Sequence, residues 1–206
     1  KTIVEKARKT IANLLHASPS EIFFTSGGTE ADNMAIVRSI QDLGITHAIT
    51  SPIEHHAVLH TLEEQQKQGK INLDLLRLDE KGSIDLTHLE ELLAQNPRTF
   101  VSIMHANNEI GNITDLHKVS AICQKYNAVL HSDTVQTMGH YPHNLSELKI
   151  NFITGAGHKF HGPKGVGFLY INGDTKIKPL IYGGAQERNM RGGTENVYGI
   201  AGIAKA

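Results

Sequence analysis

Short runs of β-branched and aromatic residues alternate along this chain with amphipathic stretches, and that alternation restricts the fold more than any other feature. Lys1 to His16 carries Val4, Ala7, Ile11, Leu14 and Leu15 along one stripe at helical spacing and reads as a helix. Ser18-Pro19 stops it, and Glu21 to Thr25 follows as a short buried strand. Ser26-Gly27-Gly28 then turns the chain into a second helix from about Thr29 to Gln41. Further strands are predicted at His47 to Ser51, Asn72 to Leu78, Thr99 to His105, Ala128 to Asp133, Asn151 to Gly155 and Gly165 to Ile171. Helices fall between them at His56 to Gln68, Asp85 to Gln95 and Thr114 to Tyr126, and Tyr198 to Ala206 reads as a last, small-residue helix. Strand and helix in repeated succession predict an α/β fold of three layers, α/β/α, with a mainly parallel mixed sheet covered on both faces. The pair around the Gly162-Pro163 turn is expected to be antiparallel, because its connection is too short for a crossover.

Composition narrows the function. A length of 206 residues fits one large domain, without linker or repeat, spanning residues 1–206. The net charge of −1 offers no basic surplus for nucleic acid. The longest apolar runs, such as Phe100 to Met104, are far too short for a membrane span, and Lys1 begins no secretory signal. Cys123 is the one cysteine, which excludes an internal disulfide and a cysteine zinc cluster and fits a reducing, cytoplasmic setting. No Gly, Asn or Pro stop signal follows Ala204, so the chain is expected to continue beyond Ala206.

Five segments at strand ends carry the chemistry. Phe23 to Glu30 runs from a strand through small residues into a helix, where free N–H groups and the dipole make an anion site; an ordinary strand–helix turn has the same look. In His131-Ser132-Asp133-Thr134-Val135-Gln136, a carboxylate at a strand end can pair with a cationic ring nitrogen, or simply cap a turn. Gly155 to Gly165 sets Lys159 among glycines and between His158 and His161. A lysine held between cations and apolar walls loses its proton easily and becomes a nucleophile; the alternative is a solvated loop lysine, a description that suits Lys164 better. His105 to Glu109 supplies amides able to bond a ring oxygen or organise a turn, and His55 follows a strand in the same way.

In this order the segments resemble the cysteine desulfurases of the NifS/IscS group, within the class V aminotransferase family of pyridoxal-phosphate (PLP) enzymes. The likeness rests on Thr25-Ser26-Gly27-Gly28-Thr29-Glu30-Ala31-Asp32-Asn33, Glu54-His55, Met104 to Gly111, Asp133 with Gln136, Gly157-His158-Lys159 and Met190-Arg191-Gly192-Gly193-Thr194. It implies a PLP-transferase large domain with Lys159 as the Schiff-base lysine, which also moves protons at the substrate Cα. It further implies that Asp133 pairs with the pyridinium nitrogen, that Gln136 and Asn108 lie on the ring's oxygen side, and that His55 stacks on the ring and serves as an acid/base in catalysis. Gly28, Thr29 and His158 are implied to hold the phosphate, with Thr194 doing so across a homodimer interface. The implied reaction takes L-cysteine to L-alanine and leaves sulfur as an enzyme persulfide for iron–sulfur cluster or thio-cofactor assembly, with sulfur-accepting scaffold proteins as partners.

Two departures from the family pattern stand out. Ala156 occupies the place of a phosphate-binding serine before Gly157-His158-Lys159. The persulfide cysteine of the family lies in a mobile loop past the Thr194 motif and has no counterpart here, since Cys123 is expected to pack inside a helix. The same fold could serve another class V reaction (an aminotransferase, a kynureninase-like lyase or a selenocysteine lyase), or a non-catalytic binding module.

Overall fold

The computed structural model describes residues Lys1–Ala206. In chain order the elements are α1 (Thr2–Leu14), β1 (Ile22–Thr25), α2 (Gly28–Asp42), β2 (His47–Thr50), α3 (His56–Lys67), β3 (Asn72–Leu75), α4 (Leu86–Gln95), β4 (Thr99–Ser102), α5 (Leu116–Lys125), β5 (Val129–Asp133), β6 (Phe152–Ala156), β7 (Gly167–Ile171) and α6 (Val197–Lys205). Capping explains several of the helix starts. Asp85 and Asp115 accept hydrogen bonds from the first-turn amides of α4 and α5, and Asn196 does the same for α6.

The strands form one sheet in the order β1-β7-β6-β5-β4-β2-β3. Neighbours from β6 through to β3 are parallel, whereas β7 is antiparallel both to β6 and to β1. Successive side chains on a strand face opposite sides, and the core divides accordingly. Ile49, Val101, Leu130 and Ile153 pack beneath α1, α4, α5 and α6, while Ala48, Phe100, Phe152 and Leu169 pack beneath α2 and α3. The expected three-layer α/β/α mixed sheet is therefore the observed one. Fully buried residues such as Leu62 in α3 and Leu89 in α4 each contribute about 1.5–3 kcal/mol from removal of apolar surface from water.

Some boundaries differ from expectation. β3 ends at Leu75 instead of Leu78, because the chain then turns back and Leu78 pairs only with Ile84. β4 is regular only to Ser102, although the Ile103 and His105 amides go on donating to the His131 and Asp133 carbonyls. The consequence for function lies in strand direction. Two antiparallel steps restore the original sense, so β1 runs with the parallel strands and its carboxyl end reaches the same edge of the sheet as theirs.

Candidate active site

At that edge the carboxyl ends of the central strands and the start of α2 border an open cleft of about 570 Å3. Gly28, Thr29, His55, Asn108, Asp133, Gln136, His158 and Lys159 all line it, so the predicted residues converge, with the exception of Thr194. The anion cup is built by the tight passage from β1 into α2. Gly28 has no room for a side chain, since a Cβ there would stand 2.8 Å from Val135 Cγ2. The amides of Gly28 and Thr29 belong to the first helical turn, which has no intrahelical acceptors, and so they remain open to a ligand. Across from them Ala156, buried at 1% exposure, ends β6.

After β6 the chain makes one 3-10 turn, Gly157–Lys159, held by Phe160 N and Gly162 N donating to Gly157 O. This turn spreads the neighbouring side chains apart. His158 borders the cleft, whereas His161 lies edge-on to His140, whose Nε2 in turn contacts Lys159 O at 3.0 Å. Lys159 itself is exposed in the cleft. The expected enclosure of Lys159 by two cations and apolar walls is thus corrected: one histidine flanks it at the cleft, and the side chain stands free.

Asp133 closes β5, and its Oδ1 accepts a hydrogen bond of 2.8 Å from Val135 N. It therefore caps this turn, and its carboxylate also borders the cleft. Burial, reinforced by the nearby Asp32 carboxylate, pushes Asp133 up to about 7. Gln136 Nε2 donates to Asn108 Oδ1 at 3.2 Å, which pairs the two expected ring-oxygen ligands. His55 begins α3, and its Nδ1 accepts from Ala57 N at 3.1 Å, fixing the ring's orientation at the cleft wall.

The sequence reading missed the residues that hold these loops in place. Buried Glu54 accepts from Met104 N at 2.7 Å, and Asn107 Nδ2 donates to Ile53 O at 2.7 Å, so the His55 and Asn108 loops are tied together. Burial keeps the Glu54 carboxyl well above the usual range. Thr194 lies outside the cleft, in a smaller recess of about 150 Å3 shared with Ser26 and Arg191. Its segment is bound to the anion cup by a bidentate pair, Arg191 to Glu30 at 2.8 and 3.0 Å. Further back, Glu187 takes Arg8 at 2.7 and 2.8 Å together with the Phe24 amide at 2.7 Å, all of it buried. Cys123 is packed in α5 at 1% exposure, and burial pushes its thiol up to about 12. Asp32, present in the sequence reading only as a member of the first family motif, lines the cleft from an otherwise apolar helix face.

The family profile described as Aminotransferase class-V matches residues 1–206. The chain belongs to the class V aminotransferase family. Among its relatives, "Cysteine desulfurase IscS" of Dictyoglomus turgidum is 47% identical over 208 residues, covering 100% of this chain and 52% of that protein. The protein of the same name from Methanosarcina thermophila is 44% identical over 209 residues, covering 100% of this chain and 51% of its own length. A solved "NifS-like protein" superposes with a TM-score of 0.94 at 42% identity, over 99% of this chain and 56% of that one. A second solved structure, SspA in complex with cysteine, gives 0.93 at 33% identity over 99% and 59%. The resemblance to cysteine desulfurases read from the motifs therefore holds along the whole chain. The chain spans about half the length of the curated relatives it matches.

Proposed function

We propose that this protein is a PLP-dependent cysteine desulfurase, with residues 1–206 as its cofactor-binding large domain. The observation that carries the reading is the meeting in one cleft of a free lysine, a buried carboxylate and a helix start with open amides. These residues fit the cofactor: the cradle at Gly28 admits no Cβ, and the carboxyl oxygens of the floor include one, Asp32 Oδ1, without a hydrogen bond. Gly28, Thr29 and His158 would hold the phosphate, Asp133 would meet the ring nitrogen, Gln136 and Asn108 would serve its oxygen side, and His55 would stack on the ring. Bound there, PLP supplies an electron sink for charge developing at the substrate Cα. Lys159 Nζ would hold the cofactor and would serve as the base that moves a proton at that carbon. Asp133, held by the Val135 amide, would supply the negative charge at the nitrogen end.

The substrate is L-cysteine, the product L-alanine, and the sulfur leaves on an enzyme thiol for iron–sulfur cluster or thio-cofactor assembly by scaffold partners. That thiol is not Cys123, whose raised value and packing deny it both ionisation and access. The open position of Thr194, on a segment fixed to the cup by Arg191, supports its service to the cleft of a second copy in a homodimer. No helix is long and apolar enough to cross a membrane, and one buried, free thiol fits a reducing compartment such as the cytoplasm. Borohydride treatment with PLP should fix a pyridoxyl label on Lys159, and Lys159→Ala should abolish it. A label that survives and maps to Lys164 would place the site wrongly. Alanine and sulfide assays on L-cysteine separate this reaction from other class V chemistry.

A further inference from the structure

Among the buried polar groups beneath the cleft, Asp32 has an oxygen that no hydrogen bond of the fold uses. Asp32 sits one turn into α2, on the face packed against the sheet, and is 1% exposed. Its Oδ1 has no hydrogen-bond partner; His131 Nε2 approaches to 3.3 Å without the alignment of a hydrogen bond. His131 is occupied elsewhere, with Nδ1 2.8 Å from Ser102 Oγ and Nε2 3.2 Å from Thr154 Oγ1, so the central strands carry a polar row under the carboxylate. Burial pushes His131 down to about 4, which leaves it neutral near pH 7 and unable to balance an anion. One side-chain atom each of Asp32, Asp133 and His55 lie within 4.8 Å of one another.

We propose that Asp32 is a positioning residue for the cofactor ring: in the cofactor-free protein the two nearby carboxyls hold one proton between them, and Asp32 keeps it when a ring cation stands against Asp133. The inference rests on the cofactor reading above. The count balances, with one proton and one negative charge on the pair before and after; only the location of the proton changes, so Asp133 meets the ring as a full carboxylate. Burial pushes both carboxyls up to about 7, and the Asp32 carboxylate adds to the rise at Asp133. The other titratable groups facing the pair are Glu54 and His55 from the loop before α3, His131 from β5, and His158 and Lys159 from the turn after β6. Glu54 is held above the usual range and His131 below it, so neither supplies the missing countercharge. A carboxyl retained only for packing would have its oxygens satisfied by hydrogen bonds; Asp32 leaves Oδ1 bare, and its carboxyl lies in the neighbourhood of Asp133.

Carbon-13 labelling of the aspartate carboxyls in the full-length protein tests this directly, with signals assigned through Asp32→Asn and Asp133→Asn. In protein freed of cofactor the two signals should titrate together near neutrality in a biphasic curve. Adding PLP should fix the Asp133 signal in its ionised position at about pH 6 and leave that of Asp32 protonated. In Asp32→Asn the Asp133 transition should become a single step and move down, while burial still holds it above the ordinary aspartate range. An Asp133 transition untouched by Asp32→Asn overturns the proposal. So do two independent titrations in the ordinary range in the unsubstituted protein, a result that needs no variant to fold. Paired titration in a protein that never binds PLP overturns the cofactor reading and the positioning role with it, while the shared proton stands.

Discussion

Replacing Ala156 by serine puts the proposed phosphate cup to a test of sign. Ala156 ends β6 at 1% exposure and borders the cleft, and its Cβ would lie 3.7 Å from a Cβ placed on Gly28, the residue that opens the cup. A serine hydroxyl at this point has two fates. In the empty protein it is a buried donor without a designated partner, and such a group costs about 1–3 kcal/mol. With a phosphate in the cup it makes a charge-assisted hydrogen bond of about 1.5–3 kcal/mol. Ala156→Ser should therefore lower the urea midpoint of the cofactor-free protein and yet tighten PLP binding roughly 10- to 150-fold, at about 1.4 kcal/mol per factor of ten. Equilibrium dialysis or quenching of intrinsic tyrosine fluorescence measures the affinity, and chemical denaturation with and without PLP measures the stabilities. Unchanged or weaker PLP affinity would show that another donor fills that contact, or that the phosphate does not lie between α2 and β6.

Asp133→Asn should slow exchange of the substrate Cα proton by ~100-fold, equivalent to about 2.7 kcal/mol of transition-state stabilisation, as followed by proton NMR in heavy water; exchange at the parent rate would remove Asp133 from the chemistry. The same variant has a pH signature: with a folded value of about 7 against about 3.9 unfolded, Asp133 lends the empty fold stability at low pH that is lost as pH rises through 7, so Asp133→Asn should gain on the parent between about pH 5 and 7 in denaturant titrations. Glu187→Ala strands the Arg8 guanidinium and the Phe24 amide in the core and should cost about 3–5 kcal/mol by urea unfolding, whereas a loss under about 1 kcal/mol would mean that the pair is open to water. Cys123 should resist thiol reagents in the folded protein and carry no added sulfur by mass spectrometry after incubation with PLP and L-cysteine.

The parts legible in the sequence are those set by local periodicity, and the parts that were not depend on which distant strands meet. Ile22 to Thr25 announces a buried strand by its own residues, but nothing in it says that it pairs antiparallel with Gly167–Ile171, more than half the chain away. That pairing nevertheless decides the site, because it turns the end of β1 and the start of α2 towards the same edge as β4, β5 and β6. Motifs that end strands could be gathered into one crevice on the general behaviour of parallel sheets, which is why Gly28, Asp133 and Lys159 were found together. Neighbourhood in sequence was a poorer guide to surroundings. His161 follows Lys159 by two residues and yet faces His140, since one 3-10 turn separates side chains that an extended chain would have set side by side. Glu30 and Arg191 form a bidentate contact that links the cup to the Thr194 segment, and no local pattern joins residues so far apart. Asp32 is the instructive case between these extremes. An acidic side chain among Ala31, Met34 and Ala35 breaks the apolar face of α2, and carboxylates are almost never buried without a partner. That break is a signal from which sequence reasoning could have singled out Asp32, while its three-dimensional neighbours, Asp133 and a neutral His131, give it a chemical reason.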